Sequence, residues 1–258
     1  MKLFYRKFGQ GQPLIILHGL FGQSDNWNTL AKQFAETGFE VYTVDLRNHG
    51  LSPHSDVWNY TVMSEDILEL VNDNDLQNII LLGHSMGGKV AMQFAIQHPE
   101  LLDKLIVVDI APKYYPPRNK EVLLALNSVD LNIVKTRKEI EQILSEHITD
   151  FGTRQFLVKN IFWKENADLD WRFNLKVITE EFQNTGEATP RGTVCDVLTL
   201  FIRGGESNYI LDEDIDLIQD IFSSSILENI PNAGHWVHAE KPKEFFDCVM
   251  KYIKPSLL

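Results

Sequence analysis

Apolar and polar residues change their spacing several times along the chain, and each change marks a different element. LFYRKF and PLIILH are short strand-like runs separated by the turn-forming GQGQP, which predicts an N-terminal antiparallel hairpin. From Trp27 the apolar positions Leu30, Ala31, Phe34 and Ala35 recur at helical spacing, with Ser24 or Asp25 placed to cap and Gly38 to terminate. FEVYTVDL returns to a strand pattern, and an amphipathic stretch follows from Thr61 through Met63, Ile67, Leu70 and Val71. NIILLG is apolar on both faces, as a buried parallel strand requires. GGKVAMQFAIQH then reads as a helix stopped by Pro99, and KLIVVDIA as another buried strand. Alternation of this kind predicts an α/β fold: a doubly wound, mostly parallel sheet covered on both faces.

The alternation stops between Pro112 and Cys195. This stretch opens on the irregular PKYYPPR, has helical patterns near Val122–Leu126 and Ile140–Ile148, and shows no buried strand. VLTLFIRGG and SSILENIPNAG resume the strand readings, and Pro242 sits in the first turn of a closing helix. The chain therefore divides into a first core segment (1–111), a helical cap insertion (112–195) and a second core segment (196–258).

The junction at residues 83–87 carries the chemistry. Gly83-His84-Ser85-Met86-Gly87 fits G-x-S-x-G between a buried strand and a helix. That turn demands small residues two positions either side of the serine, lifts its hydroxyl above the sheet, and aims the Met86 amide where an oxyanion would form. A phosphate-gripping turn is the competing reading, but a Walker lysine and the second Gly-x-Gly spacing are missing. A serine needs a general base, and in this chain order the base lies near the C-terminus. His235, in NAGHWVHAEKP, follows a strand and a flexible turn and meets that need; His238 reads as a packing or capping residue, and His18, His49 and His84 as structural hydrogen-bonders.

An acid must hold the imidazole. The place past LFIRGG where it is usually found holds Asn208, so Asp109 at the end of LIVVDIAP leads, with Glu206 and Asp212 as alternatives. The second oxyanion amide falls in HGLFGQ, at Leu20 or, adjacent to it, Phe21. Phe21, Tyr114, Trp163 and Trp236 are candidates to contact substrate, although the aromatics of the insertion could equally form its own core.

Composition narrows the classes. A formal charge of -12 repels a phosphate backbone, so nucleic acid is excluded as a partner. No apolar run reaches membrane-spanning length, and the N-terminus lacks the apolar stretch of a secretory signal, which predicts a cytoplasmic protein. The two cysteines, Cys195 and Cys248, have no metal-site or redox spacing and read as packing residues.

HGLFGQSDNW, DLRNHGLSP, GHSMGGKVAM, VDIAP and GHWVHAEKP, in that order, resemble the α/β-hydrolase superfamily, and within it the YbfF-type bacterial esterases and their mitochondrial abhydrolase relatives. The resemblance implies a serine esterase or thioesterase acting on small-molecule acyl esters or thioesters, without metal or cofactor. It implies Ser85 as nucleophile, His235 as base, Leu20 and Met86 at the oxyanion, and an acid moved to the strand before the cap, matching Asp109. Asp45, Arg47 and Ser52 of DLRNHGLSP would brace the floor of the site. The same residues could serve C–C bond hydrolysis or perhydrolysis, and a non-catalytic ligand receptor on the same fold is the rival from another class.

Overall fold

The structure, a computed structural model, describes residues 1–116, 120–165, 168–190 and 192–254. In chain order its first elements are β1 (Tyr5–Gly9), β2 (Gln12–Leu17), α1 (Asn28–Glu36), β3 (Phe39–Val44), α2 (Tyr60–Asp73), β4 (Ile79–His84), α3 (Met86–Gln97) and β5 (Leu102–Val108). The inserted segment contributes α4 (Lys120–Asn127), α5 (Arg137–Ser145), α6 (Phe151–Val158), β6 (Ile161–Trp163), β7 (Leu169–Trp171) and α7 (Leu175–Glu180). The chain closes through β8 (Thr199–Gly204), α8 (Ile215–Ile221), β9 (Ser225–Ile230), α9 (Val237–Glu240) and α10 (Pro242–Ile253).

Seven strands form one sheet in the order β1-β3-β2-β4-β5-β8-β9. Within this sheet, among the described residues, only the β1–β3 pair is antiparallel. The doubly wound, mostly parallel architecture is the one expected, and its period-two residues sort cleanly. Ile15, Leu81, Leu105, Val107 and Phe201 pack with Ile67 of α2 and Phe94 of α3, whereas Leu14, Leu82, Ile106 and Ile202 pack with Phe34 of α1 and Phe245 of α10. Among the described residues no helix is long and apolar enough to cross a membrane.

Two expectations fail. β1 and β2 do not pair as a hairpin, because β3 lies between them and takes β1 in the register Tyr5↔Val44. The GQGQ link is not a tight turn: it crosses the start of β3 so closely that a Cβ on Gly11, at φ +125°, would stand 2.1 Å from the Gly38 carbonyl oxygen. The insertion also contains strands after all, the pair β6–β7 with Ile161 opposite Trp171. At three residues each they are too short to show an alternation in sequence.

Parallel strands carry their C-terminal ends to one edge, where the loops after β2, β4, β5, β8 and β9 meet. The inserted segment leaves at this edge after β5 and re-enters the sheet at the N-terminal end of its parallel neighbour β8. It is tied down by Asn160 Nδ2 donating to Phe21 O at 2.9 Å, the Asn174 amide to Asn48 O at 2.9 Å, and Tyr60 OH to Thr185 O at 2.8 Å.

Candidate active site

Ser85 connects β4 to α3 with φ 53° and ψ -116°, a strained conformation for a residue bearing a Cβ. The turn fits only because its flanks have no side chains: a Cβ on Gly83 would lie 2.2 Å from Gly87 O, and one on Gly87 would lie 2.6 Å from Leu17 O. The Ser85 amide donates to Val108 O at 3.0 Å, which fixes the turn against β5.

The hydroxyl lies 3.0 Å from Nε2 of His235, whose Nδ1 lies 2.7 Å from Oδ2 of Asp109. Asp109 is wholly buried and follows β5 with φ 51°. Its Oδ1 accepts the Gly204 amide at 3.0 Å, and its Oδ2 also accepts the Ser207 hydroxyl. These donors compensate for burying a carboxylate and fix its orientation. Because ionised Asp109 can only accept, Nδ1 of His235 carries the proton and Nε2 faces Ser85 with its lone pair. The alternative acids stand elsewhere: Glu206 is exposed, and Asp212, 84% exposed, pairs with Arg203 at 2.6 Å.

Two amides near Ser85 are unpaired. Those of Leu20 and Met86 have no protein acceptor among the described residues, and both residues border a cavity with Ser85. The Phe21 amide is instead taken by His49 Nε2 at 3.3 Å, so Leu20 is the available donor of the pair considered from sequence. Met86 opens α3, where the first amides lack intrahelical partners.

The hydroxyl of Ser85 stands between two cavities. One is bordered by Leu20, Tyr60, Met86, Lys89 and Tyr115, the other by Phe21, Val122, Phe156, His235 and Trp236. Of the residues expected to contact substrate, Phe21 and Trp236 border the second of these cavities. Tyr114 and Trp163 do not: their residues are 57% and 53% exposed and border neither cavity. Tyr115 turns inward next to Tyr114, and Trp163 ends a hairpin strand whose buried position is Ile161. Trp171 and Phe173 stack at 5.1 Å, and Phe173 packs on the Phe21 ring at 5.0 Å, which joins the insertion to the loop after β2.

Three contacts around His235 were not read from the sequence. The Tyr209 ring stacks on the imidazole at 3.7 Å, Ser207 shares Asp109, and His84 Nε2 donates to the His235 carbonyl at 2.9 Å. The segment ESNYI after a Gly-Gly turn was the available signal for the first two. The DLRNHGLSP loop ties the segment after β2 to α2. Asp45 accepts the Ser24 amide at 2.5 Å and the Leu51 amide at 2.8 Å, while Arg47 binds Asp66 through Nε at 2.6 Å and Nη2 at 2.7 Å.

Four other histidines are buried and held neutral. His18 accepts the Leu46 amide at Nε2 and His49 accepts the Phe21 amide at Nε2, so each donates from Nδ1 to a carbonyl. Burial pushes His18 down to about 4 and His49 to about 3, pulls His238, stacked on Trp27, to about 3, and holds His84 well below the ordinary range. The unfolded chain binds protons at these sites near pH 6.5 and the folded chain does not. Their contribution to stability is therefore complete above about pH 6.5 and declines as the pH falls toward about 4, by roughly 1.4 kcal/mol per pH unit for each histidine. The urea midpoint is expected to drop clearly between about pH 7.5 and about pH 5. An unchanged midpoint would show that these rings already take protons in the folded state.

Residues 12–242 match a family described as the alpha/beta hydrolase fold. The chain is 34% identical over 244 residues to esterase YbfF of Escherichia coli (strain K12), covering 93% of this chain and 92% of that protein. It is 36% identical over 257 residues to the sn-1-specific diacylglycerol lipase ABHD11 of Danio rerio, covering 96% of this chain and 80% of that protein. A solved structure of a marine microorganism esterase aligns with a TM-score of 0.95 at 43% identity, covering 98% of this chain and 99% of that one.

Proposed function

The chain belongs to the α/β-hydrolase fold family, and on that premise we propose that it is a serine carboxylesterase whose catalytic residues are Ser85, His235 and Asp109. The observation that carries the proposal is the continuous hydrogen-bonded series from Ser85 Oγ through His235 to Asp109 beside two unpaired amides. The names of the similar proteins, an esterase and a diacylglycerol lipase, support ester substrates.

In the proposed reaction Ser85 Oγ attacks the acyl carbonyl while Nε2 of His235 takes its proton. The Leu20 and Met86 amides stabilise the oxyanion, and His235 returns the proton to the departing alkoxide or thiolate. Water, activated by the same imidazole, then releases the acid from the acyl-enzyme. Each step uses only side chains and amides of this chain. Residues 112–195 act as a cap that closes the site, and a thioester would follow the same course with a better leaving group.

A fluorophosphonate probe tests the reading directly. We expect one adduct per chain, mapped to Ser85 by mass spectrometry, and a burst of nitrophenol from a short-chain nitrophenyl ester. A ligand receptor on the same fold would give neither, and absence of both would refute the esterase reading.

A further inference from the structure

Which cavity takes which half of the substrate follows from proton delivery. The leaving oxygen must receive its proton from His235 Nε2, so the alcohol lies in the cavity that His235 and Trp236 border. The acyl group then extends into the other, which Met86 and Lys89 border and His235 does not.

That second cavity has an unusual member. Lys89 lies one helical turn beyond Ser85 on α3, in a stretch otherwise buried and uncharged, and is only 4% exposed. Its Nζ donates to Lys113 O at 2.6 Å and to Glu187 O at 2.8 Å, and it lies 5.1 Å from the centroid of the Tyr115 ring. An ammonium has three protons, and these bonds use two. Among the described residues no carboxylate forms an ion pair with it, whereas neighbouring Lys113 is paired with Asp214 at 2.6 Å. The charged side chains that act on Lys89 are Glu187, which is itself exposed, and Lys113, which opposes it. Burial dominates and pulls Lys89 down to about 7. Holding two carbonyls requires no charge, and a buried cation is costly until an anion joins it.

We propose that the Lys89 cavity is an acyl subsite for short acids that carry a second carboxylate, which pairs with the Lys89 ammonium while Ser85 attacks the esterified end. The preferred substrates are hemi-esters or hemi-thioesters of short dicarboxylic acids. Ser85 precedes α3 and Lys89 lies in its first turn, and both border this one cavity, so a short acyl chain lies between them. Tyr60, Met86 and Tyr115 supply a mostly apolar wall between the two ends. This assignment rests on the esterase reading and specifies its substrate class.

Methyl hydrogen glutarate and methyl valerate, acyl chains of equal length with and without the terminal carboxylate, separate the possibilities when their hydrolysis is followed by pH-stat titration. We expect kcat/KM to favour the hemi-ester by about tenfold or more, as a buried charge-assisted contact should. In Lys89→Met the ratio between the two esters is expected to fall to about one or below. Lys89 also tethers both stems of the cap, so a measurement on the unaltered protein stands beside the variant: free glutarate should inhibit competitively at concentrations where valerate has no effect. Equal or better turnover of methyl valerate, a preference that survives Lys89→Met, or no competition by glutarate would overturn the assignment. Turnover of methyl valerate without any advantage for the hemi-ester sinks this inference alone. Failure of both esters together with no fluorophosphonate adduct removes the esterase reading and this inference with it.

Discussion

Ser85→Ala is expected to lower kcat/KM for a short-chain ester by about 10⁴-fold or more, because loss of the nucleophile leaves only binding and oxyanion stabilisation. The variant suits this test because its backbone requirement is unchanged. Alanine keeps the Cβ that makes φ 53° costly, so the strain stored at the turn is the same in both proteins. The lost hydroxyl takes with it one hydrogen bond, to His235 at 3.0 Å, and leaves the Ser85 amide on Val108 O. The thermal midpoint should therefore move by no more than a few degrees, roughly what a loss of about 1 kcal/mol produces. Stopped-flow or endpoint assays at matched concentrations of folded protein check the rate, and calorimetry checks the fold. Retention of more than about a tenth of the wild-type rate in a folded variant would show that another group attacks the ester.

How much could be read in advance follows from where each feature's cause lies. The central strands were legible because burial on both faces leaves uninterrupted apolar runs such as IILL and LIVV, a property of the segment itself. Ser85 and His235 were legible for a related reason: the glycines that flank the serine are imposed by local backbone geometry, and chain order limits where a base can arise. Pairing is a different matter. β1 runs beside β3 and not β2 because of how the GQGQ link passes over Gly38, and no periodicity within either strand records that. The pocket aromatics fail similarly. Tyr114 and Tyr115 are adjacent and chemically alike, yet one is exposed and the other buried, as the direction of a single irregular turn decides.

The positioning contacts lie further from the sequence still. Ser207, Tyr209 and His84 reach His235 or its partner acid from loops and strand ends distant along the chain, and only the folded edge of the sheet brings them together. Lys89 was the exception that could have been noticed. A lysine within GGKVAMQFA interrupts an otherwise apolar helix, and its burial among Val90, Ala91 and Met92 marks it as held for a reason other than packing.

The acid was the least determined of the candidates, and its substitution gives the second large effect. Asp109→Asn is expected to reduce kcat by about 10⁴-fold. The carboxylate accepts three hydrogen bonds, from the Gly204 amide, the Ser207 hydroxyl and His235 Nδ1. An asparagine has only one acceptor oxygen; kept on the Gly204 amide, it leaves the NH₂ at the Oδ2 position, toward the Ser207 hydroxyl and the imidazole. His235 would then have to accept at Nδ1 and carry its proton on Nε2, presenting Ser85 with a donor where a base is required. Backbone strain does not confuse the result, because asparagine tolerates the φ of 51° at this position as well as aspartate does. Glu206→Gln and Asp212→Asn serve as paired controls, each expected within about twofold of wild type, since one side chain is exposed and the other bonds Arg203. The three kcat values, measured on one ester at one pH, rank the acids: collapse in either control with activity retained in Asp109→Asn would transfer the role to the loop after β8.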